Sequence, residues 1–340
     1  MTSILKFSLR NLHLSRDRGV ALVVVLWIFI FLFVVAFNFS SSVREEGMAT
    51  HHYTEEAEGY YLALAGFEKG LFHLLEERAE QSRGLGAEAT LAPPQEIVDG
   101  RWHKGNLGEG VYRVRLVDEG GKINLNRADS ETLGRIFENL NVEEPRRTIL
   151  IDSILDWRDR DDLHRTNGAE NDYYLSLSPP YTAKNGTFDA VEDLLWVRGM
   201  SRELFYGQGE TGDDDFRKVG LNEIFTVDSP MNRVNLRTAS ATVIRVLVGL
   251  SLEKSQEFVK EREQLSEKTL ADLMQLLGIT AGNAALRQFV FTTPSVITIE
   301  ALGHQAESST QRRVRGVVRV VGGNRGFELV RWVDRETGRL

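Results

Sequence analysis

The hydrophobic pattern of the chain begins with one long apolar run. From Val20 to Val43 there is no charged residue, and Arg44 is the first to follow. A helix rises about 1.5 Å per residue, so this run can cross the roughly 30 Å of a bilayer's hydrocarbon. It is also longer than the about 7–15 apolar residues of a typical cleaved export signal. The pattern predicts a membrane-spanning helix over 20–43, and a plain signal anchor is its simplest interpretation.

The charges before this run predict its orientation. Asp17 is the single acidic residue before the run, and the basic residues before it are Lys6, Arg10, Arg16 and Arg18. Basic residues stay on the cytoplasmic side of a membrane. The chain that follows Arg44 is therefore expected to be exported.

Helical spacing continues beyond the apolar run. Apolar positions recur every three or four residues at Ala57, Tyr60, Tyr61, Leu64, Phe67, Leu71, Leu74 and Leu75. This stripe predicts an amphipathic continuation of the helix over 44–78, with its apolar side on a sheet. An ordinary core helix would show the same stripe.

Alternating segments flank a long helical middle. Apolar and polar residues alternate in "GVYRVRLVD" at 110–118, and strand-like runs follow at 295–303, 313–321 and 327–334. Between them the pattern changes to short helices that end at glycine. The sequence thus predicts an α+β fold, in which residues 79–120 and 295–340 form an antiparallel sheet and residues 121–294 form an inserted α-helical domain.

The predicted insertion contains an internal repeat. "KINLNRADSETLGRIF" at 122–137 and "RVNLRTASATVIRVL" at 233–247 share the form [IV]-N-L-x-x-A before a helix, which Asp129 or Ser130, and Ser240, could cap. Two further units, at 190–205 and 269–279, end a short helix at Gly199 and Gly278. These units resemble helix-hairpin-helix units, which bind DNA backbone elsewhere. The hairpins at Gly199 and Gly249 lack the second glycine of that motif. A structural use is therefore favoured, with DNA binding as the alternative.

The densest polar cluster is "DWRDRDDLHRTNGAENDYY" at 156–174. Calcium binds six to eight oxygen atoms, which such a loop can supply. A solvated acidic loop is the alternative, and a second acidic run, Asp213–Asp215, is a further candidate. The chain has no cysteine, which excludes disulfides and thiolate chemistry, and its net charge of −8 disfavours nonspecific nucleic-acid binding.

The start of the apolar run carries a resemblance. Arg16-Asp17-Arg18-Gly19 stands directly before Val20, as in the leader junction of type IV pilins and type II secretion pseudopilins. The resemblance implies a leader over 1–19, cleavage after Gly19 by the prepilin peptidase, and methylation of Val20. Most pilins have a glutamate where this chain has Val24. Its absence resembles the K minor pseudopilin, which lies at the filament tip.

The acidic loop and its neighbours carry a longer resemblance. "DWRDRD", "NGAENDYYLSLSPPY", "AKNGTFDAVEDLLWVRGM" and "VNLRTAS" resemble the helical domain of the type II secretion minor pseudopilin K family. The resemblance implies a pilin-like fold, a long helix packed on an antiparallel sheet, with a calcium-binding helical insertion. The expected ligands of calcium are Asp159, Asp161, Asp162 and Glu170.

The same resemblance implies a role in assembly and no enzymatic activity. Members of the family are expected in the bacterial inner membrane with the head in the periplasm. They form a tip complex with the I and J minor pseudopilins and start the pseudopilus. Other pseudopilins, the prepilin peptidase, the secretin and the secreted substrates are further expected contacts, and nucleic acid is not. The alternative is an exported, membrane-anchored DNA-binding protein of the competence type.

Overall fold

The structure, a computed structural model, describes residues 18–82, 98–207, 219–264, 275, 287–306, 308–321 and 326–334. The chain divides into two compact units, residues 1–57 and 58–340. The described part of the first unit is entirely helical, and the second unit contains a sheet and a helical insertion.

Helix α1 runs from Arg18 to Ser82, so the continuation predicted to end at residue 78 ends four residues later. In the first unit, residues 21–40 are exposed on every face, with Trp27 at 65% and Phe33 at 71%. Among the described residues, α1 is the one helix whose length and composition would allow it to cross a membrane. A helix that is apolar all round requires lipid or other helices as its surroundings.

The last third of α1 is the amphipathic part, and one side of it is buried. Its buried apolar side chains include Ala63, Phe67 and Leu74, which pack in one core with residues of the sheet. Tyr61, predicted to be buried, is 66% exposed because the buried face passes through the neighbouring positions 62 and 63. Helix and sheet backbones are in contact at Gly303, where an added Cβ would lie 2.3 Å from the Gly59 carbonyl oxygen.

The sheet has five strands in the order β1-β2-β7-β8-β9, and every pairing is antiparallel. The strands are β1 His103–Leu107, β2 Gly110–Asp118, β7 Val296–Gln305, β8 Arg312–Val320 and β9 Phe327–Val333. Four of them match the predicted strand runs to within two residues, whereas β1 was not predicted. The α+β fold with a long helix on an antiparallel sheet is as predicted.

Strands β2 and β7 are neighbours in the sheet although about 180 residues of chain separate them. The described helices between them are α2 Ser130–Asn139, α3 Arg146–Arg158, α4 Asn171–Leu175, α5 Arg202–Tyr206, α6 Leu221–Ile224, α7 Ala241–Val248 and α8 Leu252–Gln264, with 3-10 turns at Glu119–Gly121 and Val191–Trp196. This insertion has a hydrophobic core of its own, separate from the core under α1.

Two modules of similar construction lie in the insertion. The first module, residues 123–158, contains β3 Ile123–Asn124, α2 and α3; the second module, residues 234–264, contains β5 Val234–Asn235, α7 and α8. Each short strand has a parallel partner, β4 Phe225–Thr226 or β6 Phe289–Val290. Asp129 and Ser240 cap the helices that follow, so Ser130 is the first helical residue of α2 and not its cap.

Two buried carboxylates join the sheet to the insertion. Asp118, the last residue of β2, accepts hydrogen bonds from Asn235 Nδ2 at 2.8 Å and Thr238 Oγ1 at 2.6 Å. Glu119 accepts from Thr298 of β7 and from Thr226 of β4. Burial raises the pKa of Asp118. Burial acts in the same direction on Glu119, but Lys122 and the two hydroxyls outweigh it and hold the pKa of that carboxyl below its usual value.

Candidate metal centre

The acidic loop is held at the end of helix α3. The helix ends at Arg158, Asp159 is its C-cap residue, and the loop runs on to Glu170, which precedes α4. Trp157 is buried and packs edge-to-face on Tyr174, with ring centroids 5.1 Å apart. Because both ends of the loop are attached to this aromatic core, the spacing between its two ends is set by packing and does not depend on the loop itself.

Three of the four predicted ligands lie together. Asp159, Asp161 and Glu170 each have a carboxylate oxygen within 4.8 Å of the others. Asp162 is not part of this group, and its Oδ1 accepts a hydrogen bond from Asn171 Nδ2 at 3.0 Å. Asn185 Nδ2 donates to the Asp161 carbonyl at 3.1 Å and fixes the loop from outside. The second candidate run, Asp213–Asp215, lies outside the described residues.

Glu170 is the least accessible member of the group. It is 1% exposed, and neither carboxylate oxygen has a hydrogen-bond partner among the described residues. Burial is the largest cause of a pKa raised to about 7, and the nearby carboxylates of Asp156, Asp159, Asp162 and Asp161 contribute to the same shift. A buried carboxylate without a partner is costly, and a cation bound at this point would remove that cost.

A fourth carboxylate and an arginine complete the surroundings. Asp156 is fully buried and accepts from the Arg165 backbone N at 3.0 Å and from the Arg165 guanidinium. The same guanidinium nitrogen donates to Asp159 Oδ2 at 2.7 Å. Sequence reasoning did not single out Arg165, because nothing in the spacing shows which carboxylates it would bridge.

The donor set fits a hard cation. All three converging groups offer carboxylate oxygen, and no cysteine exists in the chain to supply a softer ligand. Calcium and magnesium prefer such oxygen ligands, and calcium also accepts carbonyl oxygens from a flexible loop. The residues therefore fit calcium better than zinc or copper.

The residues of the predicted leader junction are only partly described. Gly19 and Val20 lie in the first turns of α1, and residues 1–17 lie outside the described residues. Val24, where the pilin resemblance predicts a glutamate, is 50% exposed within the apolar helix.

The hairpins predicted to resemble DNA-binding units are occupied by neighbouring protein groups. At the Gly199 hairpin, Arg146 donates to the Gly199 carbonyl at 3.1 Å and to Ser201 Oγ at 2.9 Å. At the second hairpin, Gly249 has a φ of 78°, and a Cβ there would lie 3.1 Å from Asn139 Oδ1. Both hairpins thus make contacts inside the insertion.

Comparison with known proteins agrees with this architecture. Residues 114–206 match the family model "Type II secretion system (T2SS), protein K". Proteins named type II secretion system protein K are 24% identical over 200 residues in Pectobacterium carotovorum, 23% over 298 in Aeromonas hydrophila and 27% over 207 in Klebsiella pneumoniae. These alignments cover 56%, 78% and 56% of this chain and 61%, 84% and 60% of the relatives, so the chain spans about three fifths of two of them.

A solved structure shares the fold. The crystal structure of the GspK–GspI–GspJ complex from enterotoxigenic Escherichia coli contains a chain that matches with a TM-score of 0.54 and 18% identity. The match covers 87% of this chain and all of that one.

The fold and the inserted domain define the class: a pilin-like subunit with an apolar N-terminal helix and a helical domain between two neighbouring strands. Within that class, the chain is similar to the type II secretion system protein K family, whose model matches residues 114–206 and whose named members align with this chain.

Proposed function

We propose that the protein caps the tip of the type II pseudopilus and helps to start its assembly, a role in assembly without a catalytic step. Helix α1 carries the proposal. Its residues 21–40 are apolar and exposed, and the same helix continues into a part packed on the sheet. A subunit that leaves the membrane to enter a fibre exchanges lipid for neighbouring helices, and this helix suits both surroundings.

The N-terminal end is proposed to be processed on the cytoplasmic side. The prepilin peptidase removes residues 1–19, cutting after Gly19 directly beside the apolar run, and Val20 is then methylated. Mass spectrometry of the membrane-bound protein should find a methylated Val20 as the first residue. Gly19→Ala should leave the leader attached, while the matched change Gly47→Ala further along the helix should leave processing intact.

The partners follow from the tip position. Val24 offers no carboxylate to a preceding subunit, and none is needed if no subunit precedes this one. The amine at Val20 still accepts a glutamate from the next subunit. We assign the I and J minor pseudopilins as direct partners, which the composition of the solved complex with the same fold supports. The head lies in the periplasm, anchored in the inner membrane, where the fibre acts on secreted substrates and the secretin.

Deletion tests the role in initiation. Cells without the protein should form far fewer pseudopili, and the fibres that do form should reach ordinary length. Val24→Glu should be tolerated or mildly harmful, whereas the same charge at Val25 should impair membrane insertion. A normal number of shorter fibres after deletion would assign the protein to elongation and contradict the proposal.

DNA binding is the alternative that the helix-hairpin-helix resemblance left open. It requires hairpin amides that can reach phosphate, whereas the described contacts, Arg146 on the Gly199 carbonyl and Asn139 beside Gly249, join these hairpins to the rest of the insertion. Salt-sensitive retention of duplex DNA by the detergent-solubilised protein would favour the alternative, because phosphate contacts weaken as salt rises.

We also propose that the insertion binds calcium through Asp159, Asp161 and Glu170. The unpartnered, buried oxygens of Glu170 carry this proposal. A ligand that binds only the folded state stabilises it by about 2.7 kcal/mol at a concentration 100 times its Kd. Chelator should therefore lower the melting temperature of the protein, and Asp161→Ala should remove that response. The control is Asp172→Ala, a carboxylate of the same segment outside the group.

A further inference from the structure

Arg165 lies between a buried carboxylate and a candidate metal ligand. Its backbone N donates to Asp156 Oδ2 at 3.0 Å, and its Nη1 donates both to Asp156 and to Asp159 Oδ2 at 2.7 Å. Asp156 is fully buried, and it belongs to the last turn of α3. Nη1 of Arg165 therefore bridges a buried carboxylate of the helix and the C-cap carboxylate at the start of the loop.

The two carboxylate oxygens of Asp159 have different surroundings. Oδ2 is bound to Arg165, while Oδ1 is buried and has no hydrogen-bond partner among the described residues. Oδ1 is thus the oxygen of Asp159 without a competing hydrogen bond, and Asp159 shares its site with Asp161 and Glu170. The loop also packs against the anchor: a Cβ on Gly168 would lie 1.8 Å from Asp156 Oδ2, so only glycine fits there without displacing that carboxylate.

We propose that Arg165 is a positioning residue of the metal centre, which holds Asp159 with Oδ1 directed at the cation and uses Asp156 as its anchor. The inference rests on the calcium site proposed above. Groups that orient metal ligands in this way typically contribute about 10- to 100-fold to metal affinity.

Electrostatics alone predicts the opposite effect. A guanidinium beside a ligand carboxylate repels a divalent cation, so its removal would tighten calcium binding if charge were its only contribution. If Arg165 positions Asp159, its removal weakens binding in spite of the lost repulsion. Whether the calcium Kd rises or falls when Arg165 is removed therefore distinguishes the two explanations.

The test uses the full chain in detergent, with calcium affinity measured by calorimetry and bound water counted from Tb³⁺ luminescence lifetimes. Arg165→Met should raise the calcium Kd about 10-fold or more and add about one bound water to Tb³⁺, since a protein oxygen is lost. The matched control is Arg160→Met, which removes the same charge from an exposed position in the same loop. It should leave the Kd unchanged or lower it.

Arg165→Lys keeps the charge and decides the question if the methionine variant does not fold. The lysine side chain is one bond shorter, so its ammonium group does not reach the position from which Nη1 contacts both carboxylates, and a several-fold weaker affinity and an extra bound water are expected. If the wild-type protein binds neither calcium nor Tb³⁺, the calcium proposal itself fails. If the wild type binds and both Arg165 variants bind as tightly with the same hydration, the metal site stands and the positioning role is overturned.

Discussion

The first module, residues 123–158, and the second module, residues 234–264, place equivalent groups at equivalent positions. In the first, the Leu125 amide donates to the Thr226 carbonyl at 2.8 Å; in the second, the Leu236 amide donates to Val290 at 2.8 Å. An arginine near the end of each second helix donates to two carbonyls of its own module. Arg158 binds those of Leu125 and Ala128, and Arg262 those of Leu236 and Ala239.

The modules differ in what they contact outside themselves. In the second module, Asn235 and Thr238 bind Asp118 at the end of β2. In the first module, the residue equivalent to Thr238 is the exposed Arg127, and α3 leads instead into the acidic loop. One scaffold thus serves two tasks: the second module attaches the insertion to the sheet, and the first supports the candidate metal centre.

Substituting these two arginines should destabilise both modules but weaken calcium binding in only the first. Arg158→Met and Arg262→Met each leave two carbonyls without a charged donor, at an expected cost of about 3 kcal/mol in the free energy of unfolding. Arg158 directly precedes Asp159, so its loss should also weaken calcium binding. Denaturant unfolding with and without calcium measures both effects. An equal response to calcium in the two variants would contradict the division of tasks.

The two equivalent buried asparagines, Asn124 and Asn235, provide a second test of the difference between the modules. Asn235→Ala removes a donor to the Asp118 carboxylate and should cost about 2–3 kcal/mol, because a buried charge loses a partner. Asn124 donates instead to the Ser229 carbonyl, a neutral group, so Asn124→Ala should cost about 1 kcal/mol. Denaturant unfolding of the two variants side by side measures the difference. An equal cost would mean that Asp118 is not a principal attachment point.

The helix caps should give the smallest effect, with a difference that depends on pH. Asp129→Ala and Ser240→Ala should each cost about 1 kcal/mol at neutral pH. Hydrogen bonds from Thr132 hold the pKa of Asp129 below its usual value, although burial opposes them. A depressed carboxyl pKa gives stability that is present above the unfolded pKa, about 3.9, and is lost as pH falls through the lower folded pKa. The cost of Asp129→Ala should therefore shrink in acid, whereas that of Ser240→Ala should not change.

Local patterns predicted much of this molecule. The alternation at 110–118 matches β2 residue for residue, and the repeated N-L-x-x-A motif matches the start of both modules. Contacts between residues distant in sequence were not predicted. The strand pairs β3–β4 and β5–β6 have two residues per strand, too short to give a periodic signal.

The candidate site shows the same limit. Acidic composition and the family resemblance indicated Asp159, Asp161 and Glu170, yet the separate position of Asp162 depends on Asn171. The burial of Glu170 and the bridge made by Arg165 depend on how the loop packs against α3, which no spacing of residues encodes.

The position of the protein in the fibre tests the central claim most directly. Pseudopili assembled with a labelled copy of this chain and imaged individually should carry one label at one end. The helical insertion between β2 and β7 makes the head large, and Val24 removes the carboxylate with which a shaft subunit would contact its predecessor. One terminal label on each fibre is the result that the account predicts. Labels at regular intervals along the shaft would contradict it.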